Sequence, residues 1–331
     1  MLGRRVGHRA ALWGATAGMT PDLDVLLGAF TSETVQLGIH RGFSHSLVFA
    51  VLGGLAGGRL TAALHKALDV GWRPWSKLWF AGLLTHALLD AFTSYGTQLF
   101  SPFSHYPVAF STIFIIDPLY TLPLLALLLV ALRHPPDSKH RRHLNAAGLV
   151  ISTSYLLLTA VNGLHVRATF AQALTAQGIP FQRLFATPTP LNNVLWMGIA
   201  ESDDALYVGL YSLLDENAPD RFRRLEKNTA TIADISQQPP LRALRWFSRD
   251  YYTVTQTKSD IFFNDLRFGR SDLWLDPEGT YIFSFRLLPD AEDPHRIADF
   301  ARANPAFDIR RSLLTRFARR ILGDKSVVHY Q

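Results

Sequence analysis

Seven ionisable residues stand in or beside apolar stretches of this chain, and all are of types that hold divalent metals. They are Asp22 and Asp24 in Pro-Asp-Leu-Asp, His40 and His45 in His-Arg-Gly-Phe-Ser-His, His86 and Asp90 in His-Ala-Leu-Leu-Asp, and Asp117 in Ile-Ile-Asp-Pro. An ionisable side chain at bilayer depth costs several kcal/mol, roughly 2.5–3.5 on insertion scales, so it is kept where it has a partner or a task. His86 and Asp90 are four apart, which on a helix sets both on one face with Cβ atoms about 5–6 Å apart. That spacing suits a two-pronged metal arm, and equally a His–Asp hydrogen bond within a bundle. Gly42 permits a tight turn that brings His40 and His45 inward, with Ser44 and Ser46 available to orient the imidazoles. Two exposed loop histidines are the plainer alternative, disfavoured by the apolar helix that follows at once. Pro21 starts a turn from which Asp22 and Asp24 can aim at one centre, and either can serve as a helix N-cap instead. Asp117 lies within Phe-Ile-Ile-Asp-Pro-Leu, where an apolar setting argues against a solvent-exposed cap.

Together these residues predict a metal centre held by Asp24, His40, His45, His86 and Asp90, with Asp22 able to replace or join Asp24. A carboxylate left over, Asp22 or Asp117, is then the expected general base. The chain has no cysteine, which excludes disulfides, thiolate ligands and Cys nucleophiles. Mixed imidazole and carboxylate donors suit zinc first, with manganese or iron as alternatives, and seven donors have room for two metals. Such a centre lowers the pKa of bound water toward about 7 and polarises a phosphoryl or carbonyl oxygen. Hydrolysis is the expected chemistry. No Gly-rich phosphate loop, nucleophile elbow or His-Glu-x-x-His stretch competes with it.

The elements that must position these groups divide the 331 residues in two. Residues 1–166 are a series of apolar runs, whereas 167–331 have ordinary soluble composition; the overall 48% hydrophobic and 18% charged content averages the two. A membrane-spanning helix needs about 20 predominantly apolar residues. Leu47–Leu64, Leu78–Ser94, Ile113–Leu132 and Leu144–Val166 approach that standard, and Ala10–Phe30 forms a fifth segment interrupted at Thr20-Pro21-Asp22, so it reads as broken or re-entrant. Alternate loops carry eleven Lys and Arg residues, from Arg4 to Arg142, while the complementary loops, 31–46 and 94–110, carry only Arg41. Cytoplasmic loops are the basic ones. This bias puts the N terminus and the 133–143 loop in the cytoplasm, gathers the seven ionisable residues toward the outer face, and delivers residues 167–331 to the extracytoplasmic side. Nucleic-acid binding, which the net charge of +6 suggests in isolation, lacks the interleaved basic and aromatic stripe of a reader.

The order Pro-Asp-Leu-Asp, His-Arg-Gly-x-Ser-His-Ser, His-x-x-x-Asp with Thr-Ser-Tyr-Gly-Thr-Gln-Leu-Phe-Ser-Pro-Phe, then Ile-Ile-Asp-Pro-Leu-Tyr-Thr, resembles the YdjM/YbcI-type inner-membrane proteins called membrane-bound metal-dependent hydrolases. The likeness covers residues 5–165 and implies a bacterial inner-membrane hydrolase, with Asp22, Asp24, His40, His45, His86 and Asp90 as the matching polar positions. Asn264-Asp265-Leu266-Arg267-Phe268-Gly269 and Asn193-Val-Leu-Trp196 look like the C-terminal extension of longer members. Those members begin with a further apolar segment bearing Asp-Ser-x-Thr-His or Gln. Here the sequence opens at Met-Leu-Gly-Arg-Arg, so either translation starts upstream or a helix and a possible ligand are lacking.

The expected fold is a polytopic α-helical membrane bundle of four to five segments followed by an α+β soluble domain with an antiparallel sheet. Alternating aromatic and β-branched residues in 191–215 and 246–287 predict its strands, with turns at Asp203-Asp204 and Asp276–Gly279. Val166–Gly178 should extend the fifth membrane helix, and Pro294–Gly323 should be helical with a break at Pro305. The last helix sets Arg310, Arg311, Arg316, Arg319 and Arg320 against Ile309, Leu313, Leu314, Phe317 and Ile321; that pattern serves an anionic membrane surface or, more commonly, packing on a sheet. The domain is expected to act as a lid or substrate selector and to contribute no catalytic residue. Membrane lipids and a lipid-linked or amphiphilic phosphoester are the expected partners. The rival classes are a transporter, a metal-responsive module and a scaffold, of which a transport path needs polar residues at several depths.

Overall fold

The computed structural model describes residues 2–28, 30–293, 295–303 and 310–329. It divides into a helical unit (residues 1–31, 38–110 and 115–158) and a mixed unit (32–37, 111–114 and 159–331).

In the helical unit, α1 (Leu2–Val6) and α2 (Arg9–Met19) are joined through Gly7 at φ +64°, a left-handed value suited to glycine. Pro21 ends α2, and a 3-10 turn (Pro21–Leu23) leads into α3 (Asp24–Gly28). The segment from Ala10 to Phe30 is thus a broken helix. After α4 (Glu33–Ile39) a second 3-10 turn (Phe43–His45) precedes α5 (Leu47–Leu64), whose N-terminus is capped by Ser46 Oγ accepting from Phe49 N at 3.0 Å. Then follow α6 (Trp72–Phe92), α7 (Pro118–Leu132) and α8 (Lys139–Ala176), whose residues from 159 onward belong to the mixed unit.

Small residues let α5 and α6 approach closely. A Cβ added at Gly57 would stand 2.4 Å from the Trp79 ring, and one at Gly58 would stand 2.4 Å from Ser76 Cα. Trp79 Nε1 donates to Thr61 Oγ1 at 2.9 Å across the same seam. Glycine faces of this kind bring backbones together where water supplies no hydrophobic drive between helices. On its other side α6 meets α2, with Gly82 against Ala17.

Two described helices, α5 and α8, are long and apolar enough to cross a bilayer; α7 is apolar but shorter. The expected run Ile113–Leu132 becomes helical only at Pro118, because proline at the first helical position has no N–H to leave unsatisfied. Leu119, Leu122, Leu125 and Leu129 on α7 are exposed, as are Leu149, Val150, Leu157 and Leu158 on α8. Apolar surface of that extent calls for a hydrocarbon surrounding.

The mixed unit holds two four-stranded antiparallel sheets. The first runs β1 (Arg183–Pro188), β2 (Leu195–Glu201), β3 (Ala205–Ser212), β4 (Arg223–Glu226), and the second β5 (Tyr252–Gln256), β6 (Ile261–Arg270), β7 (Tyr281–Pro289), β8 (Ile297–Ala303), each in sequence order. Two helices, α9 (Pro239–Ser248) and α10 (Arg311–Ile321), complete it. Successive strand residues face opposite sides, so Leu195, Met197 and Ile199 of β2 enter the core shared with Leu266, Trp274 and Leu275, while Trp196 and Gly198 turn to α8. Gly198 pairs with Gly209, and the Phe170 ring of α8 lies over both.

Two expectations change here. One expected sheet is two. Residues Ile297–Ala303, expected as helix, are an edge strand: Phe285 pairs with Arg302 and Leu287 with Phe300, because cross-strand packing on β7 overrides local propensity. Helix is retained at α10, while Pro294 and the break expected at Pro305 lie outside the described residues. Leu313, Phe317 and Ile321 of α10 pack against the sheet core, Arg320 forms a buried pair with Asp215 at 2.7 Å, and Arg316 pairs with Asp276 at 2.8 Å. Sheet packing, not a membrane surface, uses this helix. Asp265 and Arg267 are a fully buried ion pair at 2.6 Å. Burial pushes the Asp265 carboxyl above its ordinary value against the pull of Arg267, and the guanidinium lies near the Phe247 and Phe268 rings, so the pair is structural.

Candidate metal centre

Three local structures converge. The Pro21 turn carries Asp22, the 3-10 turn before α5 carries His45, and the C-terminal half of α6 carries His86 and Asp90 four residues apart on one face. One donor atom from each of the four lies within 4.8 Å of the other three. His45 Nε2 is 3.4 Å from Asp22 Oδ1 and 3.4 Å from Asp90 Oδ2. His86 Nε2 is 3.5 Å from Asp22 Oδ1, 3.6 Å from Asp90 Oδ2 and 3.2 Å from His45 Nε2.

These separations have a geometric meaning. Nitrogen and oxygen donors about 2.0–2.2 Å from a tetrahedral zinc stand about 3.3–3.6 Å from one another. Electrostatics points the same way. His45 Nδ1 is 2.9 Å from Ser44 Oγ and 3.3 Å from Asp24 Oδ2; with the proton on Nδ1, its Nε2 turns a lone pair to the centre. Asp90 Oδ2 is buried and accepts no hydrogen bond among the described residues. Electron-rich atoms crowded in this way repel unless a cation or protons lie between them. The residues present therefore fit a divalent metal.

Asp24 and His40, expected as ligands, form the ring behind the four. Asp24 accepts from Ser44 Oγ at 2.6 Å and from Arg41 N at 3.1 Å, and His40 Nδ1 is 2.9 Å from its Oδ1. A carboxylate behind a metal-binding imidazole fixes the tautomer and raises ring basicity. Asp117 is elsewhere in its hydrogen bonding: it caps α7 by accepting from Leu119 N and Tyr120 N, and it accepts from Tyr155 Oη at 2.9 Å.

Arg41 is the neighbour that sequence reasoning missed. Its Nε stands 3.0 Å from Asp90 Oδ2, Nη1 donates to Thr93 Oγ1 at 2.7 Å, and the guanidinium lies 5.0 Å from the centre of the Tyr95 ring. The signal was its solitude as the one Lys or Arg in the two loops 31–46 and 94–110. The turn itself depends on Arg41 at φ 55° and on Gly42, where a Cβ would meet Ile39 O at 2.7 Å. Burial grades the centre: His45 is 0% exposed, His86 and Asp90 are partly covered, and Asp22 is 55% exposed.

A helical unit clothed in exposed apolar side chains around a buried His–Asp centre defines a membrane protein with a candidate metal site. Residues 2–166 match the family described as YdjM inner membrane protein, and this half of the chain belongs to that family. No curated protein and no solved structure matches the chain.

Proposed function

We propose that the protein is a multi-pass, metal-dependent hydrolase of the bacterial inner membrane, with its centre at the outer face and its mixed unit extracytoplasmic. The observation that carries the reading is the cluster of four donors, Asp22, His45, His86 and Asp90, whose ligand atoms all lie within 4.8 Å of one another; His45, His86 and Asp90 would hold the metal, and the exposed Asp22 beside them leaves the fourth position to water. Zinc suits this donor set best, and when bound it supplies a Lewis acid and a water acidified toward about pKa 7.

The chain's own groups take the remaining tasks. Asp24 and Ser44 hold the His45 ring in one orientation. Arg41, with Nε 3.0 Å from Asp90 Oδ2, offsets part of the negative charge of the two carboxylates, Asp22 and Asp90. Asp22, the exposed donor, is the group placed to receive a proton from an attacking water, as a carboxylate within reach of the reacting centre can. Around it Met19, Leu23, Leu26 and Leu27 are exposed. An apolar rim beside a cation site suits a substrate with a charged head and an apolar tail, which supports a lipid-linked or amphiphilic phosphoester.

Orientation rests on α6. Arg73 and Asp90 are seventeen positions apart on one helix, about 25 Å at 1.5 Å per residue, so the basic end and the centre approach opposite faces of a hydrocarbon core about 30 Å thick. To the four to five segments of the threading we assign α2–α3, α5, α6, α7 and α8, of which α5 and α8 are long and apolar enough to cross a bilayer.

Metal analysis of protein extracted in mild detergent tests the proposal. About one zinc, manganese or iron per chain is expected from a site of this size, falling to background in His45→Ala and Asp90→Ala. Wild-type protein purified without any transition metal and unable to bind it would overturn the reading. A phosphodiesterase assay on amphiphilic substrates, with Asp22→Asn retaining metal but losing turnover, tests the catalytic part separately.

A further inference from the structure

The first turn of α8 carries charge of the wrong sign for its place. A helix N-terminus concentrates the partial positive charge of its free N–H groups and favours anions. Yet α8 opens Lys139-His140-Arg141-Arg142, with no acidic residue in that turn. Its cap is neutral: Ser138 Oγ accepts from His140 N at 3.2 Å.

Arg141 is the unexpected member. It is 7% exposed, and its buried Nη1 has no hydrogen-bond partner among the described residues. Arg141 is the third residue of α8, and helical side chains lean back toward the N-terminus of their own helix, a tendency that favours a guanidinium over the turn that carries the free N–H groups. A buried cation without a counter-charge is strongly unfavourable. Other basic segments gather here as well. Arg5 Nη2 donates to Asp69 O at 2.9 Å, and a Cβ at Gly7 would touch Pro136 Cγ at 3.7 Å, which brings the α1–α2 junction beside the loop leading into α8.

We infer that the N-terminal turn of α8, anchored by buried Arg141, binds the phosphate group of an anion at the basic end of the helical unit. Backbone N–H groups at a helix start and a guanidinium fork both match phosphate oxygens. Two sources share that chemistry, the headgroup of an anionic phospholipid and free inorganic phosphate. None of the residues of the metal centre takes part, so this site stands or falls independently of it.

The test is thermal unfolding of the purified full-length protein in detergent, followed by tryptophan fluorescence, with added phosphatidylglycerol, phosphatidylcholine or inorganic phosphate at matched ionic strength. Phosphatidylglycerol is expected to raise the melting temperature where phosphatidylcholine does not, and Arg141→Gln to raise the half-saturating concentration about tenfold, as loss of a charged bidentate contact does. If inorganic phosphate reproduces the shift, the site holds free phosphate; if only the lipid acts, it holds a headgroup. Equal responses to both lipids with none to phosphate, or an Arg141→Gln protein that responds like wild type, would overturn the inference. Should Arg141→Gln not fold, exposed Lys139→Gln on the same turn must weaken the response about threefold, by loss of one local charge.

Discussion

At the scale of single residues, the centre separates groups placed where a cation would be held from groups that hold those groups still. Asp24 reaches His40, His45, Ser44 and the Arg41 backbone at once. Asp24→Asn keeps the shape and removes the charge behind His45, so metal affinity should fall about 10- to 100-fold, read by competition against a chelator, while the fold is retained. A different outcome is expected in the mixed unit. Arg267→Met leaves Asp265 buried without its cation, and breaking such a pair costs about 3–5 kcal/mol; circular dichroism should report an earlier loss of the β signal with metal content unchanged.

At the scale of elements, the α5–α6 seam sets the position of His86 and Asp90 relative to His45. Gly58→Val puts new carbons where the Ser76 backbone already stands, and overpacking on that scale costs about 1–3 kcal/mol or more. The expected readout is a lower melting temperature in detergent together with loss of bound metal, since the seam carries two of the proposed ligands, His86 and Asp90. Gly18→Ala is the contrast. It lies within α2 and a Cβ there meets nothing within 4 Å, so the change should be neutral or stabilising by about 0.5–1 kcal/mol from helix propensity.

For the whole molecule, the threading makes a sharp prediction, and a chain without cysteine is its own clean background. In spheroplasts a membrane-impermeant maleimide should label Ser259→Cys, in an exposed bend of the mixed unit, and spare Lys139→Cys at the start of α8 until the membrane is opened. The reverse pattern would place the metal centre on the cytoplasmic face and remove the outer-leaflet substrate reading. Equal labelling of both would contradict a spanning α8.

The clustering of these side chains was legible in sequence because carboxylates and imidazoles inside apolar runs are costly enough to stand out, and a spacing of four on a helix fixes His86 beside Asp90. The helical and mixed halves were legible for the same kind of reason, since hydropathy period and turn residues are local properties. Which aspartate reaches the centre was not, because Asp22 and Asp24 are two residues apart and only the 3-10 turn after Pro21 decides which carboxylate faces His45. Nor were the role of Arg41, whose positive φ is dictated by a turn closed against Ile39 and Gly42, and the strand at Ile297–Ala303, which exists only because β7 offers it an edge. Local sequence selects residue types and periods; contacts between distant segments choose among the conformations that those periods leave open.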